Sequence, residues 1–150
     1  MNKLIAFLCV SYLVIFSNSL NAQEYASVPE DVLVNYKKRS AIYDFSEKDL
    51  NNTDTIPDFD IKPNKIKITG IIYLADGVTP AKDVILYVNQ PDENGNYVLE
   101  KDEFRKRYVH HRGWIKTDAD GRYTIYTFVP GKFLRSKELK QIHRVIKEPG

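Results

Sequence analysis

The stretch RGWIKTDADGRYTIYTFVPG, residues 112–131, decides the fold of this chain. Two runs rich in aromatic and β-branched residues, 114–117 and 123–128, flank the turn Asp118-Ala119-Asp120-Gly121. That pattern predicts two strands joined as a hairpin. Pro130-Gly131 should end the second strand, because proline cannot donate to a sheet ladder. A calcium loop is the alternative for the acidic turn, but its oxygens are too few for Ca²⁺, so a turn is favoured.

Further strands are predicted on both sides of this stretch. Residues 66–74 alternate between apolar and polar side chains, and Val84–Val88 is a short apolar run typical of a buried strand. Residues 142–146 could add one more strand, whereas the charged segment 97–108 is interpreted as an excursion. Short strands separated by closely spaced turns favour a mostly β fold, an antiparallel sandwich or barrel.

Length and composition indicate one globular domain. The chain has 150 residues, of which 43% are hydrophobic and 28% charged, which is ordinary for a protein with a packed core. The 22 basic and 20 acidic residues leave a formal charge of only +2. Such a balance provides no basic field, so we expect no nucleic-acid partner.

The N-terminus predicts export. Lys3 precedes an apolar run at residues 4–16, and small and polar residues then lead to a cleavage site near Ala22. The run is too short for a comfortable membrane span, so residues 1–22 are interpreted as a signal peptide rather than an uncleaved anchor. The mature chain is then secreted or periplasmic and does not span a membrane. Cys9, the one cysteine, would leave with the signal, so no disulfide is expected.

The mature chain is divided into two regions by a change in composition and in the spacing of apolar residues near residue 65. Residues 23–64 contain three prolines and no sustained apolar period, and are interpreted as an irregular N-terminal arm rather than a core. The arm could wrap its own domain or a neighbouring subunit, and the sequence does not choose. Residues 65–150 are predicted to form the β domain.

Several segments resemble the intradiol ring-cleavage dioxygenase family. KITGIIYLADGVTPAKDVILYVNQPDENGNY, residues 67–97, is similar to the opening of its sandwich, although non-catalytic sandwiches share such openings. Residues 112–131 are similar to the family block R-G-x-x-x-T-D-x-D-G-x-Y-x-F-x-T-x-x-P, and QIHRVIKEPG, residues 141–150, is similar to its H-I-H segment. DTIPDFD, residues 54–60, resembles the segment before the domain in small secreted bacterial members. The resemblance implies an antiparallel β-sandwich of the intradiol dioxygenase-like type.

The resemblance also implies a chemistry. Family members hold a non-haem Fe(III) with two tyrosines and two histidines, and they open the ring of a catechol-like aromatic diol with O₂. Tyr97, at the end of NGNY, stands at the first tyrosine position and His143 at the second histidine position. The tyrosine that leaves the metal and acts as a base falls at Phe133, which has no oxygen. The first histidine falls at Gln141, a weak neutral ligand.

Two of the four ligand positions are therefore replaced, and the resemblance implies a dioxygenase with reduced or lost activity. A non-catalytic secreted β-sandwich, used for binding or for envelope structure, is one alternative. A truncated remnant of the enzyme is another, because family members usually continue beyond the strand of the second histidine. A sandwich without those strands would expose a sheet edge through which copies could form a homo-oligomer.

Four other side chains are candidates to replace the missing ligands. His110 and His111 are adjacent, and on a strand they would point to opposite faces, so at most one of them could reach the site. Tyr108 and Tyr126 are the remaining candidates. Trp114 is interpreted as a core or edge anchor.

Overall fold

The computed structural model describes residues 30–45, 50–133, 137 and 139–149. The predicted signal segment, residues 1–22, lies outside them. Helix α1 (Glu30–Lys38) is followed by a 3-10 turn at Ala41–Tyr43. The strands are β1 (Thr53–Thr55), β2 (Lys65–Ile71), β3 (Ile85–Asn89), β4 (Leu99–Lys101), β5 (Arg107–Val109), β6 (Arg112–Lys116), β7 (Arg122–Phe128) and β8 (His143–Lys147). None of the helices in the described ranges has the length and apolar character needed to cross a membrane.

Two three-stranded sheets make up the sandwich. One sheet has the order β1-β7-β2, in which β1 runs parallel and β2 antiparallel to β7. The other has the order β6-β3-β8 and is antiparallel throughout. A separate two-stranded ladder joins β4 to β5. The prediction of a mostly β fold is confirmed, as are the strands expected near residues 66–74, 84–88 and 142–146.

Both sheets contribute side chains to one apolar core. Its buried members are Ile56, Ala81, Val84, Leu86, Val88, Ile115, Ile125 and Phe128. Alternate residues of β3, Ile85 and Tyr87, point to the other face and pack against Ile42 of the 3-10 turn. Since both faces of β3 are covered, its sequence is a continuous apolar run rather than an alternating one.

Part of the predicted arm belongs to this core. β1 pairs with β7, and Ile56, directly after β1, is only 1% exposed. The indole Nε1 of Trp114 donates a hydrogen bond to the carbonyl of Ala41 at 3.0 Å, so Trp114 is an anchor as predicted. Within the described part of the arm, residues 41–43 and 53–56 therefore pack against the β domain of the same chain. The expectation that residues 23–64 carry no core does not hold for Ile56, because a three-residue strand is too short to show a period.

The predicted hairpin of residues 114–128 is wrong. β6 pairs with β3, while β7 pairs with β1 and β2, so the turn at Asp118–Gly121 carries the chain from one sheet to the other. Thr117 explains the crossing. Its hydroxyl donates to the carbonyl of Ala81 at 2.7 Å and accepts from the backbone N–H of Val84 at 2.9 Å, which fixes the end of β6 to its own sheet.

The charged segment 97–108 is more than an excursion, because it contains β4 and β5 and binds the N-terminal segment. The buried Lys106 ammonium pairs with the carboxylate of Asp44 and donates to the carbonyl of Arg39. The hydroxyl of Tyr36 donates to Oδ2 of Asp102 at 2.5 Å. That hydrogen bond to an anion stabilises the neutral phenol and raises the pKa of Tyr36 to about 12.

Candidate functional site

A cavity of ≈170 Å³ lies between the loop after β3, the loop after β7 and the segment that leads into β8. Its lining residues are Pro91, Gly95, Tyr97, Gly131, Lys132, Phe133, Leu139, Gln141 and His143. All four positions at which the resemblance places iron ligands are in this set. The structure thus brings Tyr97 together with Phe133, Gln141 and His143, which lie more than 30 residues further along the chain.

Two glycines allow the first two loops to form the cavity. Gly95 has φ +88°, a conformation that side chains other than glycine rarely adopt. Gly131 donates its N–H to the carbonyl of Asp92 at 2.7 Å, and a methyl group at Gly131 would overlap the backbone of Gly95. The carboxylate of Asp92 also accepts the N–H groups of Asn94 and Asn96, which holds the turn. The loops therefore pack backbone against backbone.

The predicted site residues have different environments within the cavity. The rings of Tyr97 and His143 have their centroids 6.2 Å apart and are tilted by 43°. Tyr97 is 44% exposed and Phe133 is 65% exposed, so both offer ring surface to a ligand. His143 begins β8, where it pairs with Asn89, and Gln141 lies two residues before it. The cavity is open to solvent on the side of these residues.

The donor atoms of the cavity do not fit a ferric centre. Among its described lining residues, only the phenol of Tyr97 and the imidazole of His143 are strong ligands for Fe(III). Phe133 has no donor atom, and the amide of Gln141 is neutral and weakly basic. Lys132 adds a positive charge to the lining, which disfavours a bound cation. Two donors are too few to hold the ion against water.

The cavity lining contains none of the four candidate replacement ligands, which are Tyr108, His110, His111 and Tyr126. Tyr108 donates its hydroxyl to Glu100 at 2.7 Å, and the ring of Tyr126 packs edge-on against Phe59. His110 and His111 lie in the bend between β5 and β6, and both face Asp58.

The prediction that the two histidines point to opposite faces is wrong. The N–H of Arg112 donates to the carbonyl of His110 at 2.9 Å, so a tight turn is centred on His111 and strand alternation is broken. The Nε2 atoms of His110 and His111 lie 3.1 and 3.3 Å from the same atom, Oδ2 of Asp58. This cluster was not predicted. The His-His pair was its only signal in the sequence.

Burial and hydrogen bonding together set the protonation of this cluster. Burial lowers the pKa of His111, whose side chain is 1% exposed, so the neutral imidazole is favoured. Burial acts in the opposite direction on Asp58, but hydrogen bonds from His111 and His110 outweigh it and lower the pKa of that carboxyl. Asp58 is therefore an anion beside a neutral buried imidazole.

Two solved structures have a fold similar to that of this chain. A 3-chlorocatechol 1,2-dioxygenase from Rhodococcus opacus 1CP is similar to it, with 20% identity over 99% of this chain and 77% of that chain, and a TM-score of 0.51. An intradiol ring-cleavage dioxygenase from Tetranychus urticae is similar with 21% identity over 68% of this chain and 53% of that chain, and a TM-score of 0.50. The chain has the fold of these proteins. The predicted intradiol dioxygenase-like sandwich is thereby confirmed.

A third solved structure is the dioxygenase domain of a dioxygenase carbohydrate-binding protein fusion from the cellulolytic bacterium Streptomyces sp. SirexAA-E. It is 27% identical over 59% of this chain and 52% of that chain, with a TM-score of 0.49. The chain spans about half the length of this domain and of the Tetranychus protein. No protein-family model matches the chain, and no curated protein does either.

Proposed function

We propose that this chain descends from intradiol ring-cleavage dioxygenases, and that its cavity binds a catechol-like aromatic diol with ring opening reduced or lost. One observation supports this most directly. The four positions that hold ligands in the family line a single cavity, and only Tyr97 and His143 retain a suitable donor. The positions therefore meet in one cavity of this fold, and two of them lack the donor that the family resemblance implies.

The size and lining of the cavity suit a single aromatic ring. A dry apolar cavity of about 150 Å³ in another protein is large enough to bind benzene. The ≈170 Å³ here offers the ring surfaces of Tyr97 and Phe133, with polar groups on His143, Gln141 and Lys132. Aromatic faces can stack on the diol ring, and the polar groups can hydrogen-bond its two hydroxyls.

The same lining opposes the ring-opening reaction. In the family, Fe(III) supplies activation of the diol towards O₂, and the donors of this cavity do not fit that ion. The phenyl ring of Phe133 cannot accept the proton that the departing tyrosine takes from the diol. We therefore expect binding of the diol to survive in this chain and its oxidation to fall to a low level.

Restoring the two replaced ligands tests the proposal. The mature chain and its Phe133→Tyr, Gln141→His double variant are incubated with Fe(III), freed of excess iron, and compared by iron content, visible spectrum and O₂ consumption with catechol. We expect little iron and no red-brown tyrosinate band in the unmodified chain, and both in the double variant. We expect the unmodified chain to bind catechol, as measured by calorimetry, whether or not it holds iron.

Three outcomes would each overturn part of the proposal. Stoichiometric iron and ring opening by the unmodified chain would contradict the loss of activity. A folded double variant without iron would contradict the assignment of the ligand positions. A folded chain that binds no catechol would favour the non-catalytic module with another ligand or with an envelope role.

We also propose that the chain is exported, with residues 1–22 removed near Ala22. Lys3 and the apolar run that follows it support this. Expression with the complete N-terminus, followed by N-terminal sequencing of the protein in the periplasm and medium, tests it. A cytoplasmic chain that keeps Met1 would contradict export.

The edge strand β8 is a candidate surface for a homo-oligomer. In the described part of the chain β8 pairs only with β3, and Ile146, on the same side of the sheet as the core residue Leu86, is 49% exposed. A second copy could pair with this edge and cover Ile146. Light scattering should show a dimer for the unmodified chain and a monomer for an Ile146→Lys variant, because the lysine places a charge in the interface. A monomeric unmodified chain would contradict the proposed homo-oligomer.

A further inference from the structure

The cluster of Asp58, His110 and His111 is separate from the cavity. Each residue contributes one atom that could ligate a metal, and the three atoms lie within 4.8 Å of one another. None of the three residues lines the cavity of Tyr97 and His143. The chain has three histidines in total, two in this cluster and one in the cavity, so the two places can be tested independently.

The two distances from Asp58 match the spacing of ligand atoms in a metal site. Oδ2 of Asp58 lies 3.1 Å from Nε2 of His110 and 3.3 Å from Nε2 of His111. In a tetrahedral site with bonds of roughly 2.0–2.1 Å, neighbouring ligand atoms are about 3.3 Å apart. The two histidine atoms lie within 4.8 Å of one another, so an ion bound to all three residues would need the imidazoles to close by at most about 1.5 Å.

Both ring nitrogens of His110 face carboxylates, and a neutral imidazole can donate a hydrogen bond to only one of them. Its Nδ1 lies 2.9 Å from Oε1 of Glu100, and its Nε2 faces Asp58, so each ring nitrogen faces a carboxylate. A neutral imidazole has only one N–H. If Nδ1 donates to Glu100, the Nε2 lone pair points at an anion, which is unfavourable unless a second proton or a metal ion is present.

Glu100 has the position of an orienting partner. Its other oxygen accepts a hydrogen bond from the hydroxyl of Tyr108 at 2.7 Å, which fixes the carboxylate beside His110. A carboxylate that accepts the second N–H of a ligating histidine is the usual support for a metal-bound imidazole. His111 is held by burial instead, with its ring edge-on against Phe128.

We propose that Asp58, His110 and His111 bind a divalent transition metal ion, with Zn²⁺ as the best-suited member. Two imidazoles and one carboxylate are ligands that Zn²⁺ accepts, whereas Ca²⁺ and Mg²⁺ require oxygen ligands throughout. Asp58 is 37% and His110 25% exposed, so an ion has a path from solvent and water can take the remaining position. The ion would tie the segment after β1 to the bend between β5 and β6.

Zinc titration of the complete chain, produced without a polyhistidine tag and stripped with a chelator, tests the site. We expect one Zn²⁺ per chain by calorimetry and metal analysis, with weaker binding of Mn²⁺ and none of Ca²⁺. Asp58→Asn and His110→Gln should each weaken Zn²⁺ binding by about 100-fold or more. Glu100→Gln should weaken it by about 10-fold, as expected for the loss of an orienting partner.

His143→Gln is the matched control, because it removes the third histidine and leaves the cluster intact. It should bind Zn²⁺ like the unmodified chain. Circular dichroism checks that each variant is folded. If His110→Gln does not fold, Asp58→Asn alone tests whether the cluster binds Zn²⁺. Absence of Zn²⁺ binding, or binding that survives Asp58→Asn and disappears in His143→Gln, would overturn the proposal and leave the cluster as a site for protons only.

Discussion

The ring of Tyr97 lies 6.2 Å from the imidazole of His143, centroid to centroid, across the mouth of one cavity. The two residues belong to different parts of the chain, one after the turn that follows β3 and the other at the start of β8. Their proximity fixes which side of the cavity a restored metal centre would occupy. It also makes Tyr97 the residue whose removal is most informative.

Replacing Tyr97 in the Phe133→Tyr, Gln141→His double variant should halve the intensity of the tyrosinate charge-transfer band. In the Phe133→Tyr, Gln141→His variant two phenolates would bind Fe(III), and Tyr97→Phe would leave one. We expect the tyrosinate charge-transfer band to fall to roughly half its intensity per iron and the affinity for iron to drop by at least tenfold. Tyr73→Phe, at an exposed tyrosine outside the cavity, is the control. An unchanged band after Tyr97→Phe would exclude Tyr97 as a ligand.

Gly131→Ala should disrupt the cavity through a steric clash. Its methyl group would overlap the backbone of Gly95 and Asn94, which cannot rotate away as a side chain could. We expect a loss of roughly 1–3 kcal/mol in the free energy of unfolding, measured by urea denaturation, and weaker binding of catechol.

Gly77→Ala provides the comparison for Gly131→Ala. A methyl group at Gly77 would meet no atom within 4 Å, although φ there is +71°. We expect about 1 kcal/mol of destabilisation from the backbone conformation alone and unchanged binding of catechol. Equal effects of the two substitutions on catechol binding would contradict the role of Gly131 in forming the cavity.

Gln90 should be energetically coupled to Thr127. The side chain of Gln90 is fully buried, donates from Nε2 to the carbonyl of Phe128 at 3.0 Å, and accepts from the hydroxyl of Thr127 at 2.7 Å. Gln90→Leu leaves two buried groups without a partner and should cost about 2–4 kcal/mol, and Thr127→Val about 1–3 kcal/mol. The double variant should lose less than the sum in urea denaturation. Additive losses would contradict the coupling.

The hydrogen bond of Tyr36 should make stability depend on alkaline pH. The pKa of Tyr36 is about 12 in the folded chain against about 10 for an unfolded tyrosine. Because the folded value is the higher one, the stabilisation is fully present below about pH 10 and is lost as the pH rises through about 12. Tyr36→Phe should cost about 1–2 kcal/mol near neutral pH, and the difference from the unmodified chain should shrink above pH 10.

Urea denaturation across this pH range checks the prediction for Tyr36. Tyr73→Phe, which removes a hydroxyl from an exposed ring, should stay within about 0.5 kcal/mol of the unmodified chain throughout. A pH-independent difference for Tyr36→Phe would mean that the hydroxyl contributes by packing alone.

The strands could largely be predicted from the sequence, but their arrangement could not. Alternation marked β2 and an apolar run marked β3, because burial on one face or on both leaves a local pattern. The assignment of β6 and β7 to different sheets involves contacts distant in the sequence, such as the hydrogen bonds of the Thr117 hydroxyl with Ala81 and Val84. β1 was missed since three residues are too few to carry a pattern.

The cavity could be predicted from the sequence, whereas the histidine cluster could not. Tyr97, Phe133, Gln141 and His143 were assigned to one site by resemblance, and the structure brings them to one cavity. His110 and His111 were assigned by strand alternation, and a single hydrogen bond from Arg112 to the carbonyl of His110 reverses the outcome. A local period gives the direction of a side chain only while the backbone stays regular.

The backbone contact between Gly95 and Gly131 has a consequence for how such a site can evolve. Because two loops meet glycine to glycine, the shape of the cavity depends on main-chain packing and not on the side chains at positions 97, 133, 141 and 143. Mutations at the ligand positions can then accumulate without loss of the fold, and selection can act on the pocket for a new ligand. In such a scaffold, the existence of a binding cavity and the chemistry of its lining can change independently of each other.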